Sequence, residues 1–231
     1  MSERLAKGVT RFKRGHYRRN RERYAELVRE GQSPHALFIT CADSRVLPHA
    51  VTGTEAGELF VLRNVGNMVP PWAPTSECAA VGSAIEYAVG VLGVSDIVVC
   101  GHSHCGACAA LYAEDQDGMD LTAKWLRQGS RVRELVIEKT GLDEEGLQAA
   151  LRSRERRAQL LRATERAMVV QHLSNLMTYP LVAEKVEDAA LNLHGWYYAL
   201  ESGEIERYDP ERLAFLPLQR PLTRLPAPAA S

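Results

Sequence analysis

Along the first thirty positions apolar residues recur at helical intervals, with Val9, Phe12, Tyr24, Leu27 and Val28 set among arginines and lysines until Gly31 ends the pattern. That spacing predicts an amphipathic helical arm. The period then shortens. Residues 35–41, 59–63 and 96–101 are short apolar runs, the signature of buried strands. Between the last two, residues 75–91 are rich in alanine, as suits a helix packed closely on a sheet. Strand, connection, strand, helix, strand in that order predicts a parallel sheet.

Residues 114–166 are highly charged and helical in pattern, with Asp143 a candidate N-cap and Pro180 a stop after Tyr179. This stretch offers no evident chemistry. Residues 192–200 and 204–208 flank Ser202-Gly203, a hairpin signal. Pro217, Pro221, Pro226 and Pro228 predict an extended tail. The expected fold is therefore α/β: a central, mostly parallel sheet flanked by helices, with an N-terminal helical arm and a C-terminal hairpin.

Composition narrows the partners. The 231 residues, 45% hydrophobic and 25% charged, suffice for one full core. A net charge of -1 gives no overall attraction to nucleic acid, and the basic arm reads as a solvated face. No apolar run approaches the roughly 20 residues that span a bilayer, so no membrane role is expected. The five cysteines are an odd number, and the charged start lacks the apolar core of a secretory signal. Reduced thiols in a cytoplasmic protein are the expectation.

Two clusters carry the chemistry, Cys41-Ala42-Asp43-Ser44-Arg45 and His102-Ser103-His104-Cys105-Gly106. Each sits where a predicted strand finishes, the edge at which open parallel sheets bind ligands. Two thiolates and an imidazole match zinc, and three protein ligands leave a fourth position for water. Two thiolates also neutralise the dication, so its water is less acidified and a nearby acceptor helps to orient it. Asp43 is that acceptor, kept ionised by Arg45; alternatively Asp43 swings onto the metal as a fourth ligand and closes the site. Singly these residues are ordinary, since a cysteine ending a strand is usually core and an Asp-Arg pair at a surface contributes about 0 to 1 kcal/mol. Their joint placement at two strand ends reverses that reading. Cys78, Cys100 and Cys108 are read as packing thiols and His104 as solvent-exposed, and a redox role for the cysteines is set aside for want of a Cys-x-x-Cys motif.

At these residues the chain resembles the β-class carbonic anhydrases, whose signature is Cys-x-Asp-x-Arg followed by His-x-x-Cys. Further blocks agree in order: Gly31-Gln32-Ser33-Pro34, Arg63-Asn64-Val65-Gly66-Asn67, Ser83-Ala84-Ile85-Glu86-Tyr87-Ala88 and His194-Gly195-Trp196. The resemblance implies reversible, zinc-dependent hydration of carbon dioxide to bicarbonate and a proton. Cys41, His102 and Cys105 would be ligands to one zinc per subunit, and Asp43 with Arg45 the catalytic dyad. Gln32, Phe60, Val65, Tyr87 and Gly106 would form the substrate pocket, shared across a homodimer or a dimer of dimers. The expected organisation is an N-terminal helical arm (1–30), a zinc-binding α/β catalytic domain (31–216) and a Pro-rich tail (217–231). Phe38 stands where members with a closing site carry Trp, which points to the open, plant-like subgroup, although Arg63 and Tyr198 remain. Gly66 replaces a common Ala, and only added backbone freedom is expected from it. The rivals are a carbonyl sulfide or carbon disulfide hydrolase and a catalytically silent zinc protein.

Overall fold

A computed structural model describes residues 2–73, 79–113 and 118–218. Cys78 and the tail from residue 219 lie outside the described residues. The arm is helical: α1 (Glu3–Phe12), a π turn at Lys13–Tyr17 and α2 (Arg21–Glu30), which Gly31 ends. Strand β1 (Ala36–Cys41), the short helix α3 (Pro48–Thr52) and β2 (Leu59–Asn64) follow. Helix α4 (Ala79–Glu86), with a π turn at Tyr87–Val91, leads into β3 (Asp96–His102) and α5 (Gly106–Ala110).

The charged middle forms α6 (Asp120–Leu126), α7 (Ser130–Thr140), α8 (Glu144–Arg152) and the long α9 (Arg154–Leu176). Asp143 caps α8 as expected, its carboxylate accepting from the Gly146 N–H. Pro180 acts differently from expectation. Helix α9 ends at Leu176, and Pro180 opens α10 (Pro180–Glu187), where its missing N–H costs no hydrogen bond. The hairpin β4 (Asn192–Tyr198) and β5 (Ile205–Asp209) is present, and β6 (Ala214–Pro217) adds a further strand to it.

Among the described residues the strands make one sheet in the order β2-β1-β3-β4-β5-β6. The pairs from β2 to β4 are parallel and the last two antiparallel. Alternation along the strands sorts the core. Leu37, Ile39, Ile97 and Val99 meet Val81, Ile85, Val169, Leu176 and Val182 of the helices on one face. On the other, Phe38, Val98 and Cys100 pack with Leu59, Trp196 and Tyr198. Helix α9 lies close on the sheet because β3 offers it a glycine: a Cβ at Gly101 would stand 2.7 Å from Val169 Cγ2. That proximity brings α9 to the strand ends where the chemistry sits.

Candidate metal centre

The crossover direction reverses between β1 and β3, with β2 outside one and β4 outside the other. Such a switch point opens a crevice at the carboxyl ends of the two strands. Cys41 is the last residue of β1 and His102 the last of β3. A tight turn, in which His104 adopts φ +58, then carries the chain to Cys105 at the N-cap of α5. One ligand atom from each of Cys41, His102 and Cys105 lies within 4.8 Å of the others, and all three residues are buried.

The donor chemistry fits a metal ion. His102 Nδ1 is 2.8 Å from the Ser103 carbonyl, which can only accept, so that nitrogen carries the proton and Nε2 the lone pair. Nε2 is buried without a hydrogen-bond partner. An orphaned acceptor between two sulfurs is the arrangement that a cation completes. Left to themselves the sulfurs resist ionisation. The Cys105 thiol and burial push Cys41 up to about 12, and Cys108 and burial push Cys105 up to about 12 against a lowering by Cys41. A dication reverses this, because coordination deprotonates a thiol outright.

Asp43 and Arg45 form the expected pair at the rim. Arg45 Nε donates to Asp43 Oδ1 at 2.9 Å and Nη2 to Oδ2 at 2.7 Å, while the Arg45 N–H adds a third bond to Oδ1 at 3.0 Å. This fork holds the carboxyl well below the usual carboxylate range. Asp43 Oδ2 stands 3.9 Å from His102 Nε2, aimed at the cluster but outside it. Two further contacts fix the loop. Arg45 Nη2 donates to the His104 carbonyl at 3.0 Å, and Arg63 donates to the Cys41 and Asp43 carbonyls at 3.1 and 2.7 Å.

Several supports were not foreseen. Glu165 on α9 is 2% exposed; its Oε1 accepts the Cys105 N–H at 3.0 Å and its Oε2 the Tyr197 hydroxyl at 2.7 Å. Trp125 of α6 donates to the Val65 carbonyl at 2.7 Å. The charged middle of the chain therefore does serve the site, contrary to the expectation that it offers no chemistry. No local signal marks Glu165, a charged residue in a highly charged helix. Gly66 also does more than loosen the backbone. Its φ of +79 favours glycine, a Cβ there would stand 2.8 Å from that of Ala107, and its N–H donates to Cys41 Sγ at 3.4 Å. His104 is exposed as expected, its ring 2.7 Å from Glu201, which also pairs with Arg162. The ground for setting aside a redox role, the want of a Cys-x-x-Cys pair, does not hold, since Cys105-Gly106-Ala107-Cys108 is one.

The pocket residues divide. Val65 directly follows β2 beside the cluster, and Gly106 is the first residue of α5. Phe60 pairs in register with Leu37 toward the amino ends of the strands, with its ring 5.8 Å from that of Tyr87. Gln32 is exposed ahead of β1. Within one chain these three do not join the metal cluster.

A family model described as carbonic anhydrase matches residues 36–205. The chain belongs to the carbonic anhydrase family. A carbonic anhydrase of Pseudomonas aeruginosa is 41% identical over 91% of this chain and 89% of its own length. Another, from Synechocystis, is 36% identical over 90% and 71% respectively. Among solved structures the β-carbonic anhydrase CcaA superposes with a TM-score of 0.83 at 34% identity, covering 95% of this chain and 92% of that one. A tetrameric β-carbonic anhydrase of Sordaria macrospora gives 0.72 at 28% identity, over 88% and 94%. The class is thus β, and carbon dioxide hydration is the activity of this family.

Proposed function

We propose that the protein is a zinc enzyme that interconverts carbon dioxide and bicarbonate, with Cys41, His102 and Cys105 holding the metal and Asp43 with Arg45 serving the reaction. The observation that carries this reading is the orphaned Nε2 of His102 beside two sulfurs, faced by an ionised carboxylate that is fixed by three hydrogen bonds from Arg45. Bound zinc supplies Lewis-acid activation of water. Asp43 accepts a hydrogen bond from the attacking water and sets its direction, and Arg45 keeps that carboxylate ionised and stationary. Val65 offers an apolar wall, and the Gly106 N–H is a donor for an oxygen of bicarbonate. Carbon dioxide is uncharged, so a dry wall beside the nucleophile suffices to hold it.

Gln32, Phe60 and Tyr87 complete the pocket from a second copy of the chain, in a homodimer or a dimer of dimers. The arm supports this: no residue of α1 or α2 is buried, and Leu5, Val9 and Phe12 are 66%, 55% and 44% exposed. We assign the site to the open subgroup, because Phe38 brings no indole N–H and Arg63 is committed to the loop carbonyls. Reduced thiols are needed for ligation, so we place the enzyme in the cytoplasm. No described helix is long and apolar enough to cross a membrane.

Substituting Asp43→Ala tests the dyad. Zinc content should be unchanged while stopped-flow hydration falls by about 10²- to 10⁴-fold, the usual contribution of a positioned acid-base group. A variant that hydrates carbon dioxide at the parent rate would remove Asp43 from the reaction.

A further inference from the structure

We propose that Cys105 and Cys108 are a redox-responsive pair, which hydrogen peroxide converts to an intrachain disulfide that withdraws Cys105 from the metal. The proposal rests on Cys105 being a metal ligand, as argued above. Cys105 is the N-cap of α5 and Cys108 the third residue of that helix. Both are free, 2% exposed and packed in one cluster with Met68 and Ala107. Residues three apart in the first turn of a helix share a face, with their Cβ atoms about 5–6 Å apart. A tightening of that turn by about 1–2 Å brings the Cβ atoms to the separation of a disulfide.

Cys41 is the competing partner, and its surroundings oppose it. It ends a central strand laddered to β2, its sulfur accepts the Gly66 N–H, and its carbonyl is held by Arg63. Cys108 carries no such duty and sits on a five-residue helix whose first turn can adjust. Peroxide is close to water in size, so the position that admits water to the metal also admits the oxidant.

The chemistry balances. The Cys105 sulfur attacks one peroxide oxygen, forming S–O as O–O breaks; the departing hydroxide leaves as water with the thiol proton in the metal-free pair, and with a proton from solvent where Cys105 is held as a thiolate. The Cys108 sulfur then attacks the resulting sulfenic acid, S–S forms as S–O breaks, and a second water leaves with the Cys108 proton. Two thiols are oxidised by two electrons and one peroxide is reduced. Because Cys105 bonds either the metal or Cys108, zinc protects the pair and the disulfide expels zinc. Without Cys108 the sulfenic acid runs on to sulfinic acid, which thiols do not reverse.

The test uses full-length wild type and Cys108→Ala, with Cys108→Ser as a second variant should the alanine protein fail to fold. Zinc content and hydration are measured first, then peroxide is added and intact mass, peptide linkage and released zinc are followed. Wild type should lose about 2 Da through a Cys105–Cys108 link, release its zinc and regain hydration after dithiothreitol and zinc. Protein stripped by a chelator should cross-link about tenfold faster or more, since the metal competes for Cys105. The Cys108 variants should begin with full hydration, gain oxygen on Cys105 and resist rescue. A Cys41–Cys105 link, no link in stripped protein, or equal rescue of the variants would overturn the proposal. Failure of the metal-centre reading would show separately, as untreated protein without zinc.

Discussion

The two edges of the sheet are unequally finished. At the carboxyl edge a single chain brings together the three candidate ligands, the Asp43–Arg45 pair, and the buried groups that hold them, including Glu165 and the Gly66 N–H. At the amino edge Gln32 is exposed, Tyr87 is 44% exposed, and no residue of the helices before them is fully buried, the rings of Phe12, Tyr17 and Tyr24 packing on one another. On the proposed reading the grip on the metal is a property of the monomer, while the wall for the substrate belongs to an assembly. Breaking the assembly should separate the two. Replacing Val9 and Phe12 together by Asp should yield monomers in sedimentation with full zinc content, and hydration lower by about a hundredfold, the scale on which lost positioning is felt. A monomer that hydrates at the full rate would dissolve the distinction between the edges.

A smaller effect is expected from within the finished edge. Glu165 makes no contact with the three ligand atoms; it holds the backbone of Cys105 and so the direction of its sulfur. Its carboxylate is satisfied by Tyr197 and flanked by Arg162, whose Nη1 is 3.4 Å away. Glu165→Ala leaves the buried Cys105 N–H without its acceptor, and zinc affinity should fall by about 10- to 100-fold, as for other groups that orient metal ligands. Glu165→Gln keeps an amide oxygen for that N–H and should retain most of the affinity. Competition with a chromophoric chelator measures both, and equal losses in the two variants would deny the hydrogen bond its role.

Much of the carboxyl edge was legible in the chain. Cys41 and His102 close short apolar runs, and strand ends are where a parallel sheet gathers ligands, so local pattern and topology led to the same place. The dyad was legible because its members are two residues apart and their bonds are local. Glu165 was not, since its partners Cys105 and Tyr197 are distant in sequence and a charged residue in a charged helix carries no mark of burial. Gly66 was misread for a similar reason: the residue that leaves no room for a side chain there is Ala107, distant in sequence. The third strand of the C-terminal meander escaped because Ala214-Phe215-Leu216-Pro217 is short and ends in proline, which an edge strand tolerates.

The smallest effect on catalysis, none at all, is expected from a histidine two turns along the helix that carries Glu165. His172 is fully buried, and burial pushes its imidazole down to about 4. Above pH ~6.5 the ring is neutral in both folded and unfolded chains, so it adds no pH dependence. Below that value the unfolded chain takes up the proton first, and folding loses stability progressively until the folded ring also titrates near 4. Over that window the loss should total roughly 3 kcal/mol. Protonation of His102 and the cysteines adds its own acid sensitivity, so the contribution of His172 is read as a difference. Urea denaturation of wild type and His172→Leu at several values between pH 7.5 and 4.5 should show a shallower decline in the variant. Hydration at alkaline pH should match wild type, because His172 is not among the groups around the cluster. Parallel pH profiles would mean that the imidazole is accommodated charged, and a drop in hydration would mean that the core of α9 is coupled to the finished edge more tightly than its hydrogen bonds indicate.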